Sequence, residues 1–545
     1  MIGSHALVRV ADASGTGFLR RLDLYVGECS CDMFVLAAET SVATEHFDVL
    51  IMGAGLSGID AAYHLQKLCP NRTYVILEQR ERVGGTWDLF RYPGIRSDSD
   101  MLTMGYSFRP WTKPKAISAG EDIREYIAAT AREEDIERHI RFRHRILRAS
   151  WSSQQAQWTV EAVRSLPGDR EEPVTLSCNF LLSCAGYYRY SAGYLPELPG
   201  GDRFRGRMVH PQAWPEDLDY SGQRVLIIGS GATAVTLLPA LAEKAEHVTM
   251  LQRSPTYIIS APAEDKVANW LRRILPDMWA YRLSRWKNIV LMIAVYQLAR
   301  RRPDFVKRGL LKKVRQELGQ DCDVATNFTP RYNPWEQRLC LVPDADLFRA
   351  IRSGRASVVT DEIESITKTG ISLKSGRQLE ADVIVTATGL VLQAFGGADL
   401  LVDGRQVDPG QRLAYKGVMI SGVPNFASVF GYTNASWTLK ADLICAYVCR
   451  LLRFMEKRGV QTVTPVSRDR ATAPFVEHFT PGYIQRSLAS WPKQGSKAPW
   501  RVYQNYIRDL LSLKWSRIDD GSLEFSNPSA NVPAPLAGEL AQTAK

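Results

Sequence analysis

Two clusters of glycine stand where a backbone could come close to phosphate. The first, Gly53-Ala54-Gly55-Leu56-Ser57-Gly58, has the spacing G-x-G-x-x-G. The second, Gly229-Ser230-Gly231-Ala232-Thr233-Ala234, repeats it with alanine in the third place, which only needs to be small. In such a turn the first glycine permits a tight bend, the second lets backbone approach a pyrophosphate, and the third packs helix against strand. The two turns differ in the charged residue that lies beyond each. Glu78 is 23 residues after Gly55, where a carboxylate accepts from a ribose hydroxyl. Arg253 is 22 residues after Gly231, where a guanidinium attracts a 2′-phosphate by a charge-assisted contact. A solvated surface arginine is the plainer alternative. Thr233, early in the second helix, and Ser254, beside Arg253, are further expected cofactor contacts.

These residues need strand–turn–helix units to hold them. HFDVLIM runs into the first turn, an amphipathic stretch leaves it, and Cys69-Pro70 stops the helix. TYVILEQ is a second strand ending on Glu78, and QRVLII leads into the second turn. The fold class expected is therefore α/β, with two dinucleotide-binding, Rossmann-like domains. The segment 376–390 has the apolar character of a strand and is expected to return to the first sheet, leaving the second domain inserted into a discontinuous first. The boundaries this implies are an N-terminal extension over 1–44, expected to be disordered, with Met33 a candidate start; a first domain over 45–185 and 385–515; a second over 186–384 carrying a helical insert over 264–325; and a tail over 516–545. FRGRMVHPQAWP (204–215) is too basic for a strand, and Pro211 and Pro215 argue against a helix interior. It reads as a rigid connector between the two domains.

At 545 residues, 45% hydrophobic and 23% charged, the chain has the composition of soluble globular protein. Nine scattered cysteines without a CxxC argue against a disulfide framework, a zinc ribbon and a dithiol reductase, and fit a reducing cytoplasm. Residues 1–44 lack the basic start and apolar core of a signal peptide. No clustered His/Cys/Asp pattern points to a metal, and no G-x-S-x-G points to a hydrolase nucleophile. The net charge of +10 is local: residues 266–315 hold 14 Lys/Arg and two acids, a net of +12. That segment also holds Trp270, Trp279, Tyr281 and Trp286. A helical insert capping a substrate entrance, with a solvated basic face, is the expected reading. Peripheral contact with an anionic membrane is the alternative. Its longest apolar run, eight residues, is too short to span a bilayer, and no reader motif suggests nucleic acid.

Two further motifs carry a family resemblance. GG-x-W-x4-YPG-x3-D (Gly84, Gly85, Trp87, Tyr92, Pro93, Gly94, Asp98) and F-x-G-x3-H-x3-WP (Phe204, Gly206, His210, Trp214, Pro215) resemble fingerprints of the Baeyer–Villiger monooxygenases. The resemblance covers about residues 45 to 515 and is nearest the ethionamide monooxygenase type, with RYPGIRSDSDM, RYNPWEQRLCLVPDADLFRAI, GYTNASWTLKADL and PKQGSKAPWR in support. It implies FAD on the first unit, touched by Gly85, Thr86 and Trp87, and NADPH on the second. Arg338 then corresponds to the active-site arginine, Asp98 to the aspartate paired with it near the flavin, and Arg253 to the 2′-phosphate ligand. Phe204, Gly206, His210 and Trp214 correspond to the hinge fingerprint. Gln337 departs from the family, many of whose members have lysine there, and this loosens the expectation of strict NADPH use.

The activity implied is hydride transfer from NADPH to FAD, then addition of dioxygen to give a C4a-peroxyflavin that attacks a ketone and yields an ester or lactone. S-oxygenation of sulfides or thioamides is implied beside it. A permanent cation such as Arg338 lowers the cost of the anions formed, and Asp98 holds it in place. The plainer alternatives are a surface turn for Asp98 and a structural ion pair for Arg338. His210 is expected to make a structural hydrogen bond, not to act as a base. Two rival functions stand beside this one. A flavin-containing N- or S-monooxygenase usually has Tyr or Phe at the Trp214-Pro215 position; an NADPH-sensing binding protein would have no use for Asp98 with Arg338.

Overall fold

A computed structural model of the chain describes residues 44–319, 322–468, 473–477 and 479–528. The N-terminal extension up to residue 43 and the end of the tail from 529 lie outside the described residues, so the disorder expected of the former is not addressed.

Strand β1 (Glu45–Met52) ends in Val49, Leu50 and Ile51, all fully buried. A run apolar on both faces suits a central parallel strand. On one side lie β2 (Tyr74–Leu77) and then β3 (Ile140–Arg141), both parallel. On the other, β4 (His144–Ser152), β5 (Gln157–Leu166) and β6 (Arg170–Ser183) form an antiparallel meander whose last strand pairs parallel with β1. Two later segments complete this sheet: Asp399–Val402 pairs with β4, and Phe426–Ser428 with β6. Helix α1 (Leu56–Leu68) buries Ile59, Ala62 and Leu65 in one core with Ile444 and Val448 of the long helix Trp437–Arg458. The short helices α2 (Thr86–Leu89) and α3 (Met101–Met104) and the helix α4 (Gly120–Glu133) pack side chains into the same core as α1.

The second sheet is all parallel. It contains β7 (Arg207–Val209), β8 (Arg224–Ile228) and β9 (His247–Gln252), with α5 (Ala232–Leu241) after β8. Its order is Ala356–Thr360, β9, β8, Val383–Thr386, β7. Two expectations are corrected here. The strand within 376–390 joins this second sheet, with Val383 opposite Val225 and Arg207, and not the first. Apolar character marks a central strand without naming its sheet; backbone pairing with β8 and β7 places it here, and the flanking Asp382 carboxylate adds to that by accepting from Arg224 backbone N–H at 2.8 Å and from its guanidinium at 2.9 Å. The return to the first sheet falls to Asp399–Val402 and Phe426–Ser428 instead. Likewise 204–215 is not wholly irregular, since its middle forms β7. An edge strand has one neighbour and tolerates charge: Arg207 is exposed while Val209 is buried. Gly206 is needed for that approach, because a Cβ there would lie 2.1 Å from the Asp382 carbonyl oxygen.

Helices α6 (Lys266–Ile274), α7 (Asp277–Arg301) and α8 (Pro303–Leu318) occupy the basic segment. Among the described residues no helix is long and apolar enough to cross a membrane.

Candidate active site

Both glycine turns open onto one cavity of about 920 Å³. At the first, Gly53 takes φ +97°, which ordinary side chains avoid, and α1 begins at Gly55. Gly58 does not line the cavity; a Cβ on it would sit 1.9 Å from the Gly53 carbonyl oxygen, so it serves helix–strand packing. Glu78 is buried at the cavity wall, where its Oε2 accepts from Ala54 N–H at 2.7 Å and its Oε1 from Arg80 N–H at 2.8 Å. Burial raises its pKa above the ordinary carboxylate value, and the two N–H donors oppose that shift. Gly85, Thr86 and Trp87 line the same end of the cavity.

At the second turn Gly229 has φ +129° and α5 begins at Gly231. Gly231 has an ordinary φ of −76°, and a Cβ on it would meet nothing within 4 Å. The chain itself does not require glycine there, so the missing side chain leaves room for something else against the helix N-terminus. Thr233 and Arg253 line this end, and Arg253 is exposed. Ser254 is exposed but is not on the cavity wall; its carbonyl accepts from Ser230 Oγ at 3.1 Å. Each end therefore offers backbone N–H groups, a positive helix terminus and space, which suits the pyrophosphates of two dinucleotides.

Between them the structure brings together Asp98 and Arg338, 240 residues apart in sequence, with Nη2 2.6 Å from Oδ2. Their side chains keep 33% and 36% of their surface, and both line the cavity. Asp98 is the first cause of a raised Arg338 pKa, with burial opposing it, so the guanidinium is charged at every pH of interest. Tyr187, Tyr188 and Tyr483 also face it. The Tyr187 and Tyr188 hydroxyls lie 2.8 Å apart, and burial raises both phenol pKa values, keeping them neutral donors. Arg486, whose guanidinium lies 3.5 Å from the centre of the Tyr194 ring, is a further cation on the wall. Sequence reading missed these residues. For Tyr187 and Tyr188 a signal existed, since CAGYYRYSAGY comes directly after β6 and ligands gather at the carboxyl ends of parallel strands; Tyr483 and Arg486 come from a segment without one.

His210 does not line the cavity but bonds a residue that does, Gly389. Its Nδ1 accepts from Gln212 backbone N–H at 3.1 Å, and that N–H can only donate. Nε2 is therefore the protonated nitrogen, donating to the Gly389 carbonyl at 3.2 Å on the segment leaving the second sheet. Burial lowers the imidazole pKa, and the bond to Gly389 opposes that. Protonation would set donor against donor at Gln212. A histidine with a depressed folded pKa stabilises above its unfolded value of about 6.5 and loses that contribution as pH falls through it. The thermal midpoint is accordingly expected to fall more steeply below that pH in the wild-type protein than in His210→Asn, as monitored by flavin fluorescence. Phe204 and Trp214, at either end of this stretch, are half-buried against the cores of the second sheet.

The chain is similar to several known proteins. The model of the flavin-binding monooxygenase-like family matches residues 48–275. The FAD-containing monooxygenase EthA of Mycobacterium tuberculosis (strain ATCC 25618 / H37Rv) is 54% identical over 497 residues, covering 90% of this chain and 99% of that protein. The putative FAD-containing monooxygenase MymA of the same strain is 52% identical over 490 residues, covering 88% and 98%. Among solved structures, an oxidized steroid monooxygenase bound to NADP matches with a TM-score of 0.68 at 22% identity, over 88% of this chain and 100% of that one. An open cyclohexanone monooxygenase matches with a TM-score of 0.68 at 21% identity, over 89% and 100%. These structural matches speak to the fold.

Proposed function

This chain belongs to the FAD-containing monooxygenases, and we infer that it is a cytoplasmic Baeyer–Villiger enzyme: ketone, dioxygen, NADPH and a proton become ester or lactone, NADP+ and water. S-oxygenation of sulfides or thioamides is its second activity. The observation that carries this reading is the Asp98–Arg338 pair on the wall of a cavity that joins two dinucleotide cradles.

FAD, when bound, supplies hydride acceptance and the activation of dioxygen. The rest falls to the chain. Gly53, Gly55 and the start of α1 hold its pyrophosphate, with Glu78 keeping the turn in shape through Ala54 N–H. Gly229, Gly231 and Thr233 hold that of NADPH, and Arg253 takes the 2′-phosphate. Arg338 places a fixed positive charge where negative charge builds on oxygen during attack on the carbonyl carbon. Such preorganised charge costs no reorganisation as the barrier is crossed. Asp98 aims the guanidinium and does not take the proton. Tyr187, Tyr188 and Tyr483 fill the space around it and leave less room for water.

Purified yellow protein given NADPH and a panel of ketones is expected to form ester in step with NADPH consumed. NADPH oxidation stimulated by sulfides or amines but by no ketone would overturn the reading. A second expectation concerns the cofactor. Removing a charge-assisted contact costs about 1.5–3 kcal/mol, so Arg253→Ala should raise the KM for NADPH about ten- to a hundredfold while leaving NADH use unchanged. Steady-state kinetics with both cofactors checks it.

A further inference from the structure

The outer face of the helical insert is apolar where water would otherwise meet it. On α6, Trp270 and Ile274 are exposed; on α7, Trp279, Leu283, Trp286 and Val290 fall at i, i+4, i+7 and i+11 and are exposed as one stripe. Trp279 keeps 60% of its surface. Isolated exposed apolar residues are ordinary, but a stripe of large ones marks an interaction surface.

The helix beneath is firmly seated. Arg285 of α7 is buried, and its Nη1 donates to the carbonyls of Leu102, Thr103 and Gly105 at 2.8–3.0 Å. Tyr281 Oη donates to the Tyr106 carbonyl at 2.9 Å. Exposure of the opposite stripe is thus a consequence of which face is anchored. The stripe is bordered mainly by positive charge, with Asp277 at the start of α7 an exposed acid beside it. Arg273, Arg282, Arg300, Arg301 and Arg302 are exposed and form no ion pair among the described residues.

We propose that α6 and α7 dock this protein onto an anionic lipid surface, with the tryptophans at the headgroup boundary and the arginines on lipid phosphates. Amphipathic helices of this composition lie in the membrane interface, and tryptophan is favoured at that depth. Charge selects this occupant over a second copy of the chain, because two such faces would set arginine against arginine. Docking does not depend on the oxygenation chemistry. If that chemistry is as inferred, however, the docked helix lies between lipid and cavity. Met292 and Ile293 of α7 pack with Tyr432 and Ala435, both on the cavity wall, and the Tyr296 and Trp335 rings meet at 5.5 Å. A lipophilic substrate dissolved in the bilayer would have a short path inward.

Flotation of the full chain with vesicles tests this. The protein should float with vesicles of equal phosphatidylcholine and phosphatidylglycerol at low salt, be released by high salt, and ignore pure phosphatidylcholine. Each arginine near the surface accounts for about fivefold in partitioning, so Arg300→Gln/Arg301→Gln/Arg302→Gln should weaken binding about a hundredfold. Trp279→Ser/Trp286→Ser should weaken it as well. Both variants should keep the wild-type flavin spectrum and NADPH oxidation with a water-soluble substrate, which shows them folded. Failure of the wild-type chain to float with phosphatidylglycerol at low salt overturns the proposal, as does undiminished binding by both variants. A dimer that the tryptophan variant converts to monomer in sedimentation equilibrium, without vesicle binding by the wild type, assigns the face to self-association instead.

Discussion

Arg338→Ala is expected to go on oxidising NADPH while ester formation falls by about a hundred- to a thousandfold, the usual loss when one preorganised donor to a developing oxyanion is removed. Neither dinucleotide cradle is touched, since both are built from backbone at 53–58 and 229–234. Hydride transfer should therefore survive, and the electrons should emerge as hydrogen peroxide. Asp98 makes the loss worse than truncation alone. With its partner gone, a carboxylate on the cavity wall faces the reacting oxygen and repels the charge forming there. Asp98→Ala/Arg338→Ala should thus form more ester than Arg338→Ala, a non-additivity that a double-mutant cycle reads directly. Arg338→Lys retains charge but not the planar fork, and should fall between. The measurement is ester formed and peroxide released per NADPH consumed. Ester formation by Arg338→Ala at the wild-type rate would falsify the assignment.

How far the sequence could reach depended on whether a feature is local. The glycine turns are legible because strand, bend and helix succeed one another within 15 residues, and each glycine answers a constraint set by its neighbours. The Asp98–Arg338 pair is not local, and only the resemblance joined the two positions. The tyrosines around Arg338 come from 187–188 and 483, segments with no shared pattern, so nothing in the sequence could group them. The stretch 204–215 misled for a different reason. The stretch looks too basic for a strand, yet β7 has only one neighbour and buries mainly Val209, so the charge is tolerated. The segment 376–390 reads as a strand, yet nothing local in it names its sheet. Strand character is carried by Val383, Ile384 and Val385, all buried, but sheet membership is set by pairing with β8 and β7, reinforced by Asp382 reaching Arg224 across 158 residues. The basic segment shows the same limit: helices were expected there, yet which face Arg285 anchors, and so which face stays apolar and open, appears only in three dimensions.

The two glycine motifs make the remaining large prediction, because glycines in equivalent-looking motifs do different work. Gly58→Ala puts a methyl 1.9 Å from a backbone oxygen in the adjoining turn, and no flexible side chain is there to yield. Helix α1 must move off β1, at a cost of about 1–3 kcal/mol typical of overpacking, or more. The turn that moves is the one presenting N–H groups to FAD, so stability and flavin retention should fall together. The variant is expected to purify pale, with a lowered thermal midpoint that added FAD only partly restores. Gly231→Ala should behave oppositely. Its methyl meets no protein atom within 4 Å, and the extended backbone at Gly231, with φ at −76°, accommodates alanine. The thermal midpoint and flavin content should match the wild type, while the KM for NADPH rises at least about tenfold as the methyl takes space meant for the pyrophosphate. A Gly231→Ala protein that bound NADPH normally would mean that the open space at α5 is not a phosphate cradle. A Gly58→Ala protein as yellow and stable as the wild type would mean that α1 can be displaced without cost to the first turn.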